Sequence, residues 1–214
     1  MSTSLVNAAF ADRLITTDVL APGSAFSREE PGIRLLLHDA CRGNREAFGE
    51  LIALHESVVF RTALAALGRA EDAEDAAQDA LVVAWRKLPG FRGDATFRTW
   101  LLTIVWHKAL DRRRVRRLWW TRTQQNTMEA ADDPFRDVAG TDSSAEAHAI
   151  AREQRALVRA AIVRLTPKLK DALLLASSGE HSYEEIAAIL RIPVGTVKWR
   201  VSEARRLIKQ RLGM

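Results

Sequence analysis

The sequence predicts an all-α protein made of two small helical domains joined by a flexible linker. Three observations predict it. Apolar residues recur at helical spacing through residues 32–117 and again from residue 149 onward, with no strand-like alternation of useful length. Between these stretches the chain turns acidic, through Glu129, Asp132, Asp133, Asp137, Asp142 and Glu146, and carries Pro134 and Gly140. Such a composition reads as a linker. Near the C-terminus a short apolar helix pattern, a turn and a basic helix pattern follow one another. The expected divisions are an N-terminal extension over 1–30, a first domain over 31–117, the linker over 118–150 and a second domain over 151–214.

Residues 1–30 lack sustained periodicity and are broken at Ala21-Pro22-Gly23-Ser24. They read as a flexible extension, although Leu14, Ile15, Val19 and Leu20 also suit a short docking helix. Asn44 is placed to cap a helix carrying Phe48, Leu51, Ile52 and His55, whose apolar face continues through Ala63 to Leu67 and stops at Gly68. The acids Glu71, Asp72, Glu74 and Asp75 open the next helix, where they suit the positive end of its dipole. Ala76, Ala77, Ala80, Leu81, Ala84, Trp85 and Leu88 extend that helix to Pro89-Gly90. After a loop, Asp94 is expected to cap a long helix beginning at Ala95, with Phe97, Trp100, Leu101, Ile104, Val105 and Ala109 as its stripe. In the second domain Leu157, Ala161, Ile162 and Leu165 form a first stripe. Thr166-Pro167 starts a helix whose Leu169, Ala172, Leu173 and Leu175 face inward, and Ser177-Ser178-Gly179 turns the chain.

Composition narrows the function. Lys and Arg number 32 against 27 acids, a net charge of +5, so the distribution of charge matters more than its total. A single cysteine, Cys41, excludes a disulfide within the chain and a cysteine-based zinc site, and suits a packed residue in a reducing compartment. No apolar run of about 18 residues is present, and Asp12, Arg13 and Asp18 interrupt the N-terminal apolar stretches. Neither membrane insertion nor a signal peptide is expected. There is no glycine-rich phosphate loop, metal-ligand cluster or nucleophile motif. The expectation is therefore no cofactor, no metal, no catalytic residue and no enzymatic activity.

The sharpest local signal runs from His181 to Arg200. Ser182 and Glu185 form a capping box, and Ile186, Ala187 and Leu190 point inward. Arg191-Ile192 makes the turn, Pro193 takes the first position of the next helix, and Val197, Val201, Ala204 and Ile208 hold it to the core. Lys198, Arg200, Arg205, Arg206, Lys209 and Arg211 make this helix basic, opposed by Glu203. Such a helix suits the major groove of DNA. A second basic track follows in the first domain, Lys108, Arg112, Arg113, Arg114, Arg116, Arg117 and Arg122, with Asp111 opposing; it suits phosphates.

Two blocks then carry a resemblance. Asp72-Ala73-Glu74-Asp75-Ala76-Ala77-Gln78-Asp79-Ala80, Ala84-Trp85-Arg86-Lys87-Leu88, Phe91-Arg92-Gly93-Asp94-Ala95-Thr96-Phe97-Arg98-Thr99-Trp100-Leu101 and Ala109-Leu110-Asp111-Arg112-Arg113-Arg114 resemble region two of the extracytoplasmic-function sigma factors. Ser182-Tyr183-Glu184-Glu185-Ile186-Ala187 and Pro193-Val194-Gly195-Thr196-Val197-Lys198 resemble region four of the same family. The resemblance covers about residues 33–117 and 151–212.

It implies a promoter-specificity subunit of bacterial RNA polymerase, acting in the cytoplasm. Asp75, Gln78 and Asp79 would dock on the β′ clamp helices of the core enzyme, and region four on the β flap. Phe91, Arg92, Gly93 and Asp94, with His107, Lys108, Arg112, Arg113 and Arg116, would recognise the −10 element and capture its strand. Phe91 is equally suited to the core, whereas Trp100 lies on the apolar stripe. Thr196, Lys198, Trp199, Arg200, Ser202, Glu203, Arg205 and Arg206 would read the −35 element. An anti-sigma factor is the implied regulator. Three positions depart from the family: His107 stands where Asn is common, Trp199 where a small polar residue is, and Glu203 where a basic one is. A glutamate accepts from cytosine N4 but repels phosphate. The rival is a stand-alone helix-turn-helix regulator, which would account for residues 150–214 and leave the first block unexplained.

Overall fold

The computed structural model describes residues 29–123 and 156–213. The expected docking helix near Leu14–Leu20 and most of the acidic linker lie outside the described residues. All elements among the described residues are helical.

Helix α1 spans Pro31–Cys41, with Pro31 in the first turn, where its missing N–H is no loss. Asn44 caps α2, Arg45–Ala53: its Oδ1 accepts from the N–H groups of Glu46 and Ala47 at 2.9 and 3.2 Å. The sequence pattern ran on as one helix to Gly68, but the chain breaks at Leu54 and His55. The His55 N–H turns back to the Ile52 carbonyl at 2.8 Å, and its ring packs on Phe97 with centroids 5.6 Å apart. Tertiary packing here overrides a continuous helical pattern. Helix α3, Glu56–Leu67, then ends at Gly68, whose φ of 71° suits glycine.

Helix α4, Ala70–Lys87, carries acids in its first turn and Arg86 and Lys87 in its last, matching the dipole at both ends. Its inner face is alanine: Ala73, Ala76, Ala77, Ala80 and Ala84 are buried, so neighbouring helices approach closely. A 3₁₀ turn, Leu88–Gly90, leads to the central helix α5, Phe97–Thr123. This helix starts two residues later than expected. Thr96 rather than Asp94 supplies the cap, accepting from the Thr99 N–H at 3.2 Å. Glu29, just before α1, accepts from the Phe97 N–H. Helix α5 also continues through Thr123, so the first residues assigned to the linker are helical. Leu102 and Trp106 are buried beside the predicted stripe because α5 is packed on several sides, by α3, α4 and the second domain.

Among the described residues the second domain opens on α6, helical over 156–163. Ala161, Ile162 and Leu165 are buried as predicted, but Leu157 is exposed. Three helices follow: α7, Pro167–Ser177; α8, Tyr183–Leu190; and α9, Val194–Arg211. Ile162, Leu165, Leu169 and Leu173 pack around Ala204 in a core of their own. The remaining apolar faces of α7 and α8 join the first domain's core: α7 lies on α3 and α8 on α5.

Candidate nucleic-acid interface

In the helix-turn-helix, the Ser182 Oγ accepts from the Glu185 N–H at 3.1 Å, and Glu185 Oε2 accepts from the Ser182 N–H at 3.0 Å. This is the predicted capping box. Arg191 makes the turn at φ 53°. Pro193 sits one position earlier than expected, as the residue before α9. Val197, Val201 and Ala204 are buried, which leaves Lys198, Trp199, Ser202, Arg205 and Arg206 on the exposed side. Trp199 is 62% exposed, a large ring on the open side of the helix. Thr196, Arg200 and Glu203 are half-buried along the same helix.

The first domain offers a different surface. Asp75, Gln78, Asp79 and Val82 are exposed along one face of α4. Two of these acids are already paired: Arg112 reaches Asp75 at 2.5 Å and Asp79 at 3.6 Å. Arg116 reaches Asp72 at 2.6 Å, and Arg113 crosses to Asp171 of α7 at 2.8 Å. The expected phosphate track is thus tied to carboxylates on both sides. Arg117 and Arg122 lie outside the residues whose side chains are described. Lys108 is half-buried; His107 is exposed, its Nδ1 donating to the Thr103 carbonyl at 2.6 Å. That bond leaves Nε2 as the acceptor of the neutral ring.

In the loop before α5, Arg92 and Asp94 are exposed and Gly93 turns the chain at φ 72°. Phe91 requires a correction: it is 2% exposed, set edge-on to Trp100 and Phe97 at centroid distances of 5.3 and 6.3 Å. A ring enclosed in this way has no face for a base. Trp100 is partly buried against the same cluster.

A contact surface that the sequence reading did not identify joins the two domains. Arg98 donates to Glu185 and to the Glu180 carbonyl, and Arg61 to the Glu180 carboxylate. His181 Nε2 lies 3.1 Å from the buried Thr62 hydroxyl. Desolvation first, and then the charge of Arg98, holds the His181 pKa down to about 4. His55 is lowered by the same two causes. No spacing rule pairs residues that are over eighty positions apart, so these partners carried no sequence signal. Burial pushes the Cys41 thiol up to about 11, as suits a packed residue. No metal-binding cluster occurs among the described residues, and no described helix is long and apolar enough to cross a membrane.

Fold and surfaces together define a two-module, helical DNA-binding protein with a helix-turn-helix in its second module. Residues 51–121 match the Sigma-70 region 2 family and residues 155–208 match Sigma-70, region 4. The chain is 33% identical over 174 residues to the RNA polymerase sigma-H factor of Pseudomonas aeruginosa, covering 80% of this chain and 89% of that one. It is 32% identical over 180 residues to the sigma factor CnrH of Cupriavidus metallidurans, covering 82% and 92%. Among solved structures it is similar to CnrH in complex with the cytosolic domain of CnrY, with a TM-score of 0.57 and 27% identity over 85% of this chain and 97% of that one. The fold is shared with RpoE of Bartonella quintana in complex with the anti-sigma factor NepR, at a TM-score of 0.56, 23% identity and coverage of 78% and 97%. The chain belongs to the sigma-70 family, as an alternative sigma factor of the extracytoplasmic-function group that initiates transcription at specific promoters. The stand-alone regulator is not favoured, because it leaves the region-two match without a role.

Proposed function

We propose how this sigma factor divides its work. Residues 31–117 dock on core polymerase and handle the −10 element, and residues 151–214 read the −35 element. The exposed α4 face of Asp75, Gln78 and Asp79 meets the β′ clamp helices. A carboxylate-rich face suits a basic partner. Region four meets the β flap and lays α9 in the major groove, with Thr196, Lys198, Trp199, Arg200, Ser202, Arg205 and Arg206 along the DNA. The observation that carries this reading is a basic recognition helix whose outer side is exposed while its other side is fixed to α7 and α8.

Arg92, Gly93 and Asp94, with His107 and Lys108, face the −10 element, and Arg112, Arg113 and Arg116 follow the strand once freed from their acids. Binding free energy is thereby used for local melting, while nucleotide chemistry belongs to the polymerase in the cytoplasm. The acidic linker runs through the polymerase between the two domains. CnrH and RpoE were solved with CnrY and NepR, respectively; an anti-sigma factor of that kind regulates this chain. Run-off transcription with purified core polymerase on the organism's own upstream regions tests the reading. Transcripts sharing one −35/−10 pair are expected; a folded protein giving neither transcripts nor core binding would overturn it.

A further inference from the structure

Glu203 and Arg206 form a side-on fork on α9. Arg206 Nε donates to Glu203 Oε2 at 2.8 Å, and Nη2 donates to Oε1 at 2.7 Å. A guanidinium carries five N–H groups in one plane. The carboxylate takes two of them, both on the Nε/Nη2 edge. The Nη1/Nη2 edge therefore keeps a pair of parallel donors, held in a fixed plane and turned away from Glu203. Arg206 is 60% exposed and Glu203 26%, so the arginine is the outer member of the pair.

Placement on the helix gives this edge its meaning. Helical side chains lean toward the N-terminus. By reaching back to Glu203, Arg206 carries its charged head toward the preceding turn, on the side of α9 that also carries Ser202 and Trp199. Those residues lie opposite the buried Val197, Val201 and Ala204, on the side left open for DNA. An unpaired Glu203 would meet the phosphates as a bare negative charge. Paired, its charge is cancelled at contact distance, and the arginine's hydrogen bonds hold its carboxyl below the usual range and ionised.

We propose that Arg206, oriented by Glu203, reads a guanine of the −35 element through O6 and N7, and that Glu203 is a positioning residue. This rests on the reading of α9 as the −35 helix. Guanine alone offers two adjacent acceptors on its major-groove edge; adenine replaces one of them with a donor. A pre-oriented guanidinium matches that pair and gives up less freedom on binding. Direct reading of cytosine by Glu203 is the rival, since each oxygen keeps a lone pair beyond the one Arg206 occupies; Arg206, the more exposed partner, stands nearer the open side.

The test is selection from a library randomised across the −35 element, using the full-length protein bound to core polymerase. Wild type is compared with Arg206→Ala, Arg206→Lys and Glu203→Gln. Wild type is expected to fix guanine at one position. Arg206→Lys keeps the charge without the fork; it should lose that preference, roughly five- to hundredfold, while retaining most overall affinity. Arg206→Ala should lose both. Glu203→Gln, which offers one acceptor in place of two, should weaken the preference severalfold without changing core binding or −10 usage. An unchanged base profile in both arginine variants would make Arg206 a phosphate contact and overturn the proposal. Loss of a cytosine preference in Glu203→Gln would overturn it in favour of direct reading by the glutamate. A wild-type protein that binds core but selects nothing at −35 would instead overturn the underlying assignment of α9.

Discussion

Arg98, in the first turn of α5, donates to Glu185, the residue that closes the capping box of α8. One carboxylate thus serves two purposes: Oε2 satisfies the start of the helix-turn-helix, and Oε1 fastens that domain to the first. Both side chains are mostly buried, at 28% and 21% exposure. Removing one partner of such a pair leaves the other desolvated, at a cost of about 1–3 kcal/mol. Arg98→Ala is therefore expected to loosen the packed arrangement while leaving each domain folded. Small-angle scattering should show a larger radius of gyration, and amide exchange should quicken along the α5–α8 contact. An unchanged radius would mean that the apolar contact alone holds the domains.

The same junction carries a pH dependence with a definite sign. His181 sits against Thr62 of α3 and feels the charges of Arg98 of α5 and Glu180 of its own domain; Arg61 and Glu185 are the partners of Glu180 and Arg98 in turn. Its pKa is about 4 in the packed form against an ordinary 6.5. Above 6.5 the ring is neutral whether packed or released, and the packing is at full strength. As pH falls below 6.5 the released ring takes up a proton that the packed ring refuses, so packing weakens down to about pH 4. Separation of the domains should rise between pH 7 and pH 5, and His181→Asn should flatten the profile. Scattering or a donor–acceptor dye pair across the junction would measure it.

Phe91 and Arg92 are neighbours in opposite settings. Phe91 is enclosed by Trp100 and Phe97, whereas Arg92 is exposed. Phe91→Ala should cost about 3–5 kcal/mol of stability, seen as a large drop in thermal midpoint. Arg92→Ala should stay within about 0.5 kcal/mol and instead slow open-complex formation, read by permanganate footprinting of the melted strand.

These contrasts show what the sequence could and could not reveal. Caps and stops were legible where the chemistry is local: Asn44, Gly68, Ser182 and Glu185 act within a few residues of themselves. The buried stripe of α9 followed from 3.6-residue spacing for the same reason. The break at His55 was not legible, because its cause is a ring contact with Phe97, forty-two positions away. Asp94 was a reasonable cap by residue type, but Thr96 and the distant Glu29 supply the bonds. Basic and acidic residues stood out as candidate contact groups, yet pattern alone gave no sign that Arg112, Arg113 and Arg116 are held by acids on other helices.

The pairing of Arg112 with Asp75 and Asp79 leads to a prediction that couples the two activities of the first domain. The arginine belongs to the proposed strand track and the acids to the proposed polymerase-docking face, and each neutralises the other in the free protein. The three side chains are 36%, 58% and 65% exposed, so each pair is worth about 0–1 kcal/mol and exchanges readily. A basic polymerase surface that takes the acids would release Arg112 toward DNA. The double variant Asp75→Asn, Asp79→Asn should therefore do two opposite things. Its affinity for core polymerase should fall, while the free protein should bind single-stranded DNA severalfold more tightly at low salt. That gain should vanish at high salt, where screening removes both the attraction and its neutralisation. Adding Arg112→Ala should cancel the gain on DNA without restoring core binding. Single-strand affinity that ignores the acids would place Arg112 off the strand track and leave the two activities uncoupled.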